Sequence, residues 1–277
     1  MAITAQDVMK LRKMTSAGMM DCKNALIEAN GDFEKAVEII REKGKLIAAK
    51  RADRETTEGA VLVRVDDRKA ILVCLGCETD FVSATPDFKA LAEEIADVAI
   101  ANFPEDLEAL KACKCSNGHT VEEEISAQTG RTGEKHLLAY YSKLEAPFIA
   151  QYVHNNLKLA SIIAFNKEVA EEIGKNVAQQ VTAMNPISIS EADCPKETIE
   201  KEMALYKQQI LEDPKMAGKP EAMLENIAKG KLKKFFKEQT LEEQEFIWDN
   251  KVSVKEYIHV ADKDAKVVAF RRFSLND

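Results

Sequence analysis

The hydrophobic period of this chain changes near residue 59, and that change demands two kinds of structure. Before about residue 50 the apolar residues recur at helical spacing, whereas from Gly59 they alternate or run unbroken as in strands. The chain is therefore read as α+β. In the first segment Thr4 and Asp7 have the spacing of a capping box ahead of Val8 and Leu11, and Gly18 interrupts before a second helix carrying Met20, Cys22, Leu26 and Ala29. Asn30-Gly31-Asp32 supplies a turn and an N-cap for a third helix with Phe33, Ala36, Val37 and Ile40 on one face. So short a segment builds only a marginal core, which predicts a compact three-helix module. The charged stretch from Lys45 to Glu58 has few large apolar residues after Leu46 and Ile47 and is expected to be a linker.

From Gly59 onward, Ala60–Val65, a turn at Asp66-Asp67-Arg68, and Ala70–Leu75 read as a hairpin. A loop from Thr79 to Pro86 then leads into a helix carrying Leu91, Ile95, Val98 and Ala99. The same order recurs: Phe148–Val153, a turn at Asn155-Asn156, Leu157–Phe165, and a helix starting near Lys167. Both helices contain Ala-Glu-Glu-Ile, at 92–95 and 170–173, which supports two related α+β halves with antiparallel sheets. Ile199, Met203, Tyr206 and Ile210 then form a coiled-coil-like stripe, stopped by Asp213-Pro214 and Gly218-Lys219-Pro220. A second helix with Leu224, Ile227, Leu232 and Phe235 follows, giving two antiparallel helices inserted before the return through Val252–Ile258. A last strand, Ala265–Phe273, is expected to join the second sheet.

Composition excludes several function classes. A net charge of −8 disfavours broad binding to nucleic-acid phosphates, which needs a basic surface. No apolar run approaches the roughly 20 residues that span a bilayer, and the first residues lack the design of a signal or transit peptide, so the cytoplasm is the expected location. Phosphate-loop, nucleophile-elbow, zinc-protease and dinucleotide-binding motifs are absent. No direct nucleotide binding, no cofactor and no catalytic site are expected. Among the six cysteines, Cys74-Leu75-Gly76-Cys77 and Cys113-Lys114-Cys115 with His119 are the two candidate metal or redox groups. The first lies on a strand where residues three apart point to opposite faces, and the second lacks a fourth nearby ligand, so both are expected to be structural.

Thr79-Asp80-Phe81-Val82 remains. Read alone, Asp80 caps a turn and Phe81 folds back into the core. Yet the run from Leu11 to Asp32, centred on Gly18-Met19-Met20-Asp21-Cys22-Lys23, resembles the signature of the elongation factor Ts family, and Thr79–Val82 is similar to that family's second signature. The resemblance extends over essentially the whole chain. It implies a UBA-like N-terminal module (residues 1–53) and a core N-subdomain (54–146). It further implies a core C-subdomain in two parts (147–195 and 246–277) around an inserted antiparallel coiled-coil hairpin (196–245). The implied activity is release of GDP from elongation factor Tu, in its GDP-bound and nucleotide-free states, without covalent chemistry. Carried over by position, Asp80 and Phe81, flanked by Thr79 and Val82, enter near the partner's magnesium site. Met19, Met20 and Lys23 form the N-terminal contact, and Gly133 and His154 match family contact residues, although Thr132 stands where an aliphatic residue is expected. Family members continue past the last strand into a short helix, whereas this sequence stops at Asp277. Two alternatives start from the same residues: an interaction scaffold that self-associates through the helical hairpin, and a thiol or zinc protein built on Cys74 and Cys77. Exposure of Asp80-Phe81 discriminates the first, and bound metal or a low-pKa thiol the second.

Overall fold

The computed structural model describes residues 3–15, 17–216 and 218–275. Ser16, within the first signature, and Asp277, where the sequence stops, lie outside the described residues. Helix α1 (Ala5–Thr15) starts on the expected box, with the Asp7 N–H donating to Thr4 Oγ1 at 3.2 Å and the Thr4 N–H donating to the Asp7 carboxylate at 3.0 Å. Helix α2 (Met19–Glu28) follows Gly18, and α3 (Phe33–Lys50) starts where the Asp32 carboxylate accepts from the Glu34 and Lys35 N–H groups. Val8, Leu11, Cys22, Leu26 and Ala36 form the core of this module.

The expected linker from Lys45 to Glu58 is mostly structured. Helix α3 continues through Lys50, and only residues 51–57 separate it from β1 (Glu58–Asp66). Just before that stretch, α3 also makes a close contact at Gly44. An ideal Cβ there would lie 3.0 Å from the Ser126 carbonyl oxygen, so two backbones meet without large side chains.

Strand β1 pairs antiparallel with β2 (Lys69–Cys77), from Asp66↔Lys69 to Glu58↔Cys77. Asp67 takes a left-handed φ of 49° in the turn, a conformation that Asp tolerates better than most residues. The expected loop at Thr79–Pro86 contains a one-turn helix, α4 (Asp80–Ser83), before α5 (Pro86–Asn102) starts with Pro86 in its first turn and Thr85 as N-cap. Helices α6 (Leu107–Ala112) and α7 (Val121–Thr132) lead to β3 (His136–Glu145), which completes a sheet of order β1-β2-β3. Leu91, Ile95, Val98 and Ala99 of α5 are buried with Leu62, Ile71, Val73 and Leu138 of that sheet.

Strands β4 (Phe148–Val153) and β5 (Leu159–Phe165) form the second hairpin, followed by α8 (Glu171–Met184). Helix α8 begins four residues beyond the expected Lys167, with Ala170 as N-cap. Its Ala-Glu-Glu-Ile therefore straddles a helix start, whereas the copy in α5 lies inside the helix with Ala92 and Ile95 buried. The four-residue match does not mark equivalent positions. Helices α9 (Lys196–Glu212) and α10 (Glu221–Gln239) are separated at Pro214 and Pro220 as expected, and the predicted stripe residues are buried or half-buried. Strands β6 (Glu245–Phe246) and β7 (Asp249–Ser253) pair with each other, α11 (Val254–Ala261) follows, and β8 (Val267–Ser274) joins a sheet of order β4-β5-β8.

Two compact units result: residues 1–143, 153–160 and 273–277 in one, and 144–152 and 161–272 in the other. The second unit is built on Ile163, Phe165, Val177, Val181, Leu241 and Phe246, with Phe246 stacked on Tyr257 at 3.9 Å between ring centroids. No helix among the described residues is long and apolar enough to cross a membrane.

Candidate partner-binding site

All nine residues singled out from the sequence fall in the first unit. Phe81 is 83% exposed, a large ring standing on a single helical turn. Beside it Asp80 is exposed, and its carboxylate makes no hydrogen bond or ion pair among the described residues. Asp80 is not the cap of the turn. That position belongs to Thr79, whose side chain also makes no capping bond to the helix. Val82 is half-buried against the core of the first unit and anchors the turn.

Thr79 turns instead to Glu134. Its hydroxyl lies 2.8 and 3.0 Å from the two Glu134 carboxylate oxygens, and its N–H donates to one of them at 3.1 Å. Glu134 follows Gly133, which ends α7 in the left-handed conformation with φ 72°. Gly133 thus has a backbone reason to be glycine, and it stands next to the residue that holds Thr79. A second carboxylate, Glu78, accepts from the Lys135 N–H at 2.6 Å and from Arg51 Nη1 at 2.9 Å to each oxygen. Desolvation pushes the Glu78 pKa up, but the Lys135 N–H and the Arg51 guanidinium outweigh it and hold the carboxyl below its ordinary value. Lys135 Nζ reaches the carbonyls of Ala52 and Arg54 at 2.6 and 2.8 Å. This network ties the exit of α3 to the segment that presents Asp80 and Phe81. Sequence inspection missed it because its partners lie 55 and 57 residues apart, with no periodicity to connect them.

On α2, Met20 is 64% and Met19 43% exposed, and Lys23 is exposed on the same side, while Cys22, Ala25 and Leu26 face the core. Met20, placed with the apolar residues of the second helix, therefore lies outside its core face. No hydrogen bond or ion pair joins α2 to residues 79–82 among the described residues. His154 is exposed in the turn between β4 and β5, where its N–H donates to the Leu159 carbonyl at 2.8 Å. Lys158 in that turn pairs with Glu58 at 2.7 Å.

Of the thiol candidates, Cys74, Cys77 and Cys115 are buried and Cys113 is half-buried, and the Cys77 thiol donates to the Thr79 carbonyl at 3.2 Å. Burial pushes Cys74 and Cys77 up to about 12, the Glu134 carboxylate adding to the effect at Cys77, so neither is a nucleophile at neutral pH. His119 places one ring nitrogen against Arg41 and the other 2.7 Å from Glu124 rather than toward Cys113 and Cys115. No group of His, Cys, Asp or Glu side chains among the described residues is arranged to hold a metal ion.

Comparison with known proteins places the chain in a family. The protein-family model described as "Elongation factor TS" matches residues 78–277. The chain is similar to an elongation factor Ts of Porphyromonas gingivalis, 44% identical over 276 residues that cover 100% of this chain and 99% of the relative. The Christiangramia forsetii protein of the same name is 46% identical, with 99% of this chain and 98% of the relative covered. That of Bacteroides fragilis is 42% identical, with 99% of each covered. On the length and identity of these matches, the chain belongs to the elongation factor Ts family, the non-catalytic nucleotide exchange factors that act on elongation factor Tu in translation elongation.

Proposed function

We propose that this chain promotes GDP release by setting Phe81 and Asp80, flanked by Thr79 and Val82, against the magnesium and nucleotide site of the GTPase domain of elongation factor Tu. The observation that supports this reading is the 83% exposure of Phe81 beside an unpaired carboxylate. Exposure of so large a ring calls for a partner, and burying it in one contributes about 1.5–3 kcal/mol. A partner lowers nucleotide affinity only by binding the nucleotide-poor state better than the GDP-bound one, and the coupling is reciprocal. Phe81 supplies that difference if its pocket opens only in the rearranged GTPase. Asp80 acts on the cation: magnesium holds few protein ligands and several waters, so a competing carboxylate loosens it and GDP loses its counter-charge. Met19, Met20 and Lys23 provide a second contact from α2, and Gly133 and His154 complete the surface. The setting is cytoplasmic.

The test is stopped-flow release of fluorescent GDP from elongation factor Tu over a magnesium series. Asp80→Ala is expected to slow release mainly when magnesium is abundant and to approach the wild-type rate as magnesium is withdrawn. An equal slowing at every magnesium concentration would remove the cation from the mechanism.

In the same reading the chain is organised as a UBA-like module (1–53), an N-subdomain (54–146) and a related C-subdomain (147–195 with 246–277). Helices α9 and α10 form an antiparallel coiled-coil hairpin (196–245) peripheral to exchange, serving self-association or an accessory contact. Replacing 196–245 by a short Gly/Ser bridge is expected to leave GDP release at the wild-type rate. A folded excision variant without exchange activity would refute the peripheral role.

A further inference from the structure

We propose that Glu134 is a positioning residue for nucleotide exchange, acting through Thr79 to hold the turn from which Phe81 projects. The inference rests on the reading of Phe81 given above. Helix α4 is one turn long and none of its residues is buried, so it does not sustain itself: the first turn of a helix fixes several dihedrals for a single hydrogen bond. Its exposed ring is under constant pressure to collapse onto the chain's own surface. Three holds oppose that collapse: Val82 against the core, the Cys77 thiol on the Thr79 carbonyl at 3.2 Å, and Glu134 on both the N–H and the hydroxyl of Thr79.

Glu134 is itself firmly set. The preceding Gly133 ends α7, the Glu134 N–H donates to Thr132 Oγ1 at 3.1 Å, and the Lys135 N–H donates to Glu78. The His136 N–H donates to Thr129 Oγ1 at 3.1 Å, and the buried His136 ring lies 5.8 Å from Phe88. A carboxylate fixed on each side and aimed at the N-cap of the exchange turn is placed to preset where Phe81 points. A preset geometry matters because small displacements of a group that must meet its target in one orientation cost large factors in rate.

Three readouts test this on the full-length chain: thermal unfolding, amide hydrogen exchange of residues 79–84, and stopped-flow GDP release from elongation factor Tu. Glu134→Ala is expected to unfold near the wild-type temperature, to expose the Thr79 amide to exchange, and to slow GDP release about tenfold. Thr79→Val is expected to reproduce the slowing and Thr79→Ser to rescue it, because serine keeps the hydroxyl. Glu134→Gln keeps one acceptor and should fall between wild type and alanine. The deciding variant is Glu134→Ala with Phe81→Ala: if Glu134 works through the ring, the pair releases GDP no more slowly than Phe81→Ala alone. Slowdowns that multiply, or wild-type release by Glu134→Ala and Thr79→Val while Phe81→Ala is slow, overturn the positioning role and leave the exchange reading standing. Wild-type release by Phe81→Ala itself overturns the exchange reading, and this inference with it.

Discussion

Phe81→Ala is expected to leave the fold near wild type while weakening the exchange-competent complex by about 2 kcal/mol, roughly thirtyfold, the size of an interface hot spot. The two halves of that expectation come from one observation. A ring that is 83% exposed contributes little to the packing of its own chain, so its removal belongs with surface substitutions that change stability by about 0.5 kcal/mol or less. In the proposed complex the ring loses its water on binding, and truncation is then expected to forfeit that burial in the complex alone. Thermal unfolding of the variant beside stopped-flow release of fluorescent GDP separates the two. A protein that unfolds early but, while folded, still exchanges at the wild-type rate would show that Phe81 serves the fold and not the partner.

The parts of the fold that were legible in the sequence are those whose causes are local. The capping box at Thr4 and Asp7, the Asp32 N-cap, the turn at Asp66–Arg68 and the proline stops around 214 and 220 all involve residues within a few positions of one another. Each could be read from residue type alone. The errors arose where tertiary contacts decide. Lys45–Glu58 reads as a linker because charged residues recur in it and few large apolar ones follow Ile47, yet α3 runs on through Lys50 just beyond the point where Gly44 meets the α7 backbone. Thr79–Pro86 looks like a loop because a one-turn helix has no period to detect. The motif residues Asp80 and Phe81 were found through a family likeness, whereas Glu134 and Glu78 were not found at all. Their role is set by hydrogen bonds across long stretches of chain, to which a single sequence gives no clue.

Gly130→Val is expected to destabilise the first unit by about 2–3 kcal/mol, toward the upper end of the cost of overpacking a tight contact. Helices α3 and α7 meet where Gly44 faces Gly130, and an ideal Cβ on Gly130 would lie 2.9 Å from the Gly44 Cα. Glycine inside a helix costs about 1 kcal/mol relative to alanine, so two of them at one crossing are retained against local preference. Close approach of the backbones is the compensating term. Valine regains part of the propensity but adds three carbons to a space already filled by main chain, which has no flexible end to move aside. The two effects have opposite signs, and the contact term is the larger. Gly230 in α10 provides the control: no atom lies within 4 Å of its ideal Cβ, so Gly230→Ala is expected to stabilise by about 1 kcal/mol. Because α3 carries Arg51 at its end, forcing it away from α7 also pulls on the Arg51–Glu78 pair that precedes Thr79. Gly130→Val should therefore slow GDP release even though residue 130 lies in the helix contact and not in the predicted partner surface. Thermal unfolding of both variants, with GDP release measured well below the transition, checks the argument. A Gly130→Val protein that melts with the wild type would mean that the helices separate without cost, and the crossing would then hold nothing in place.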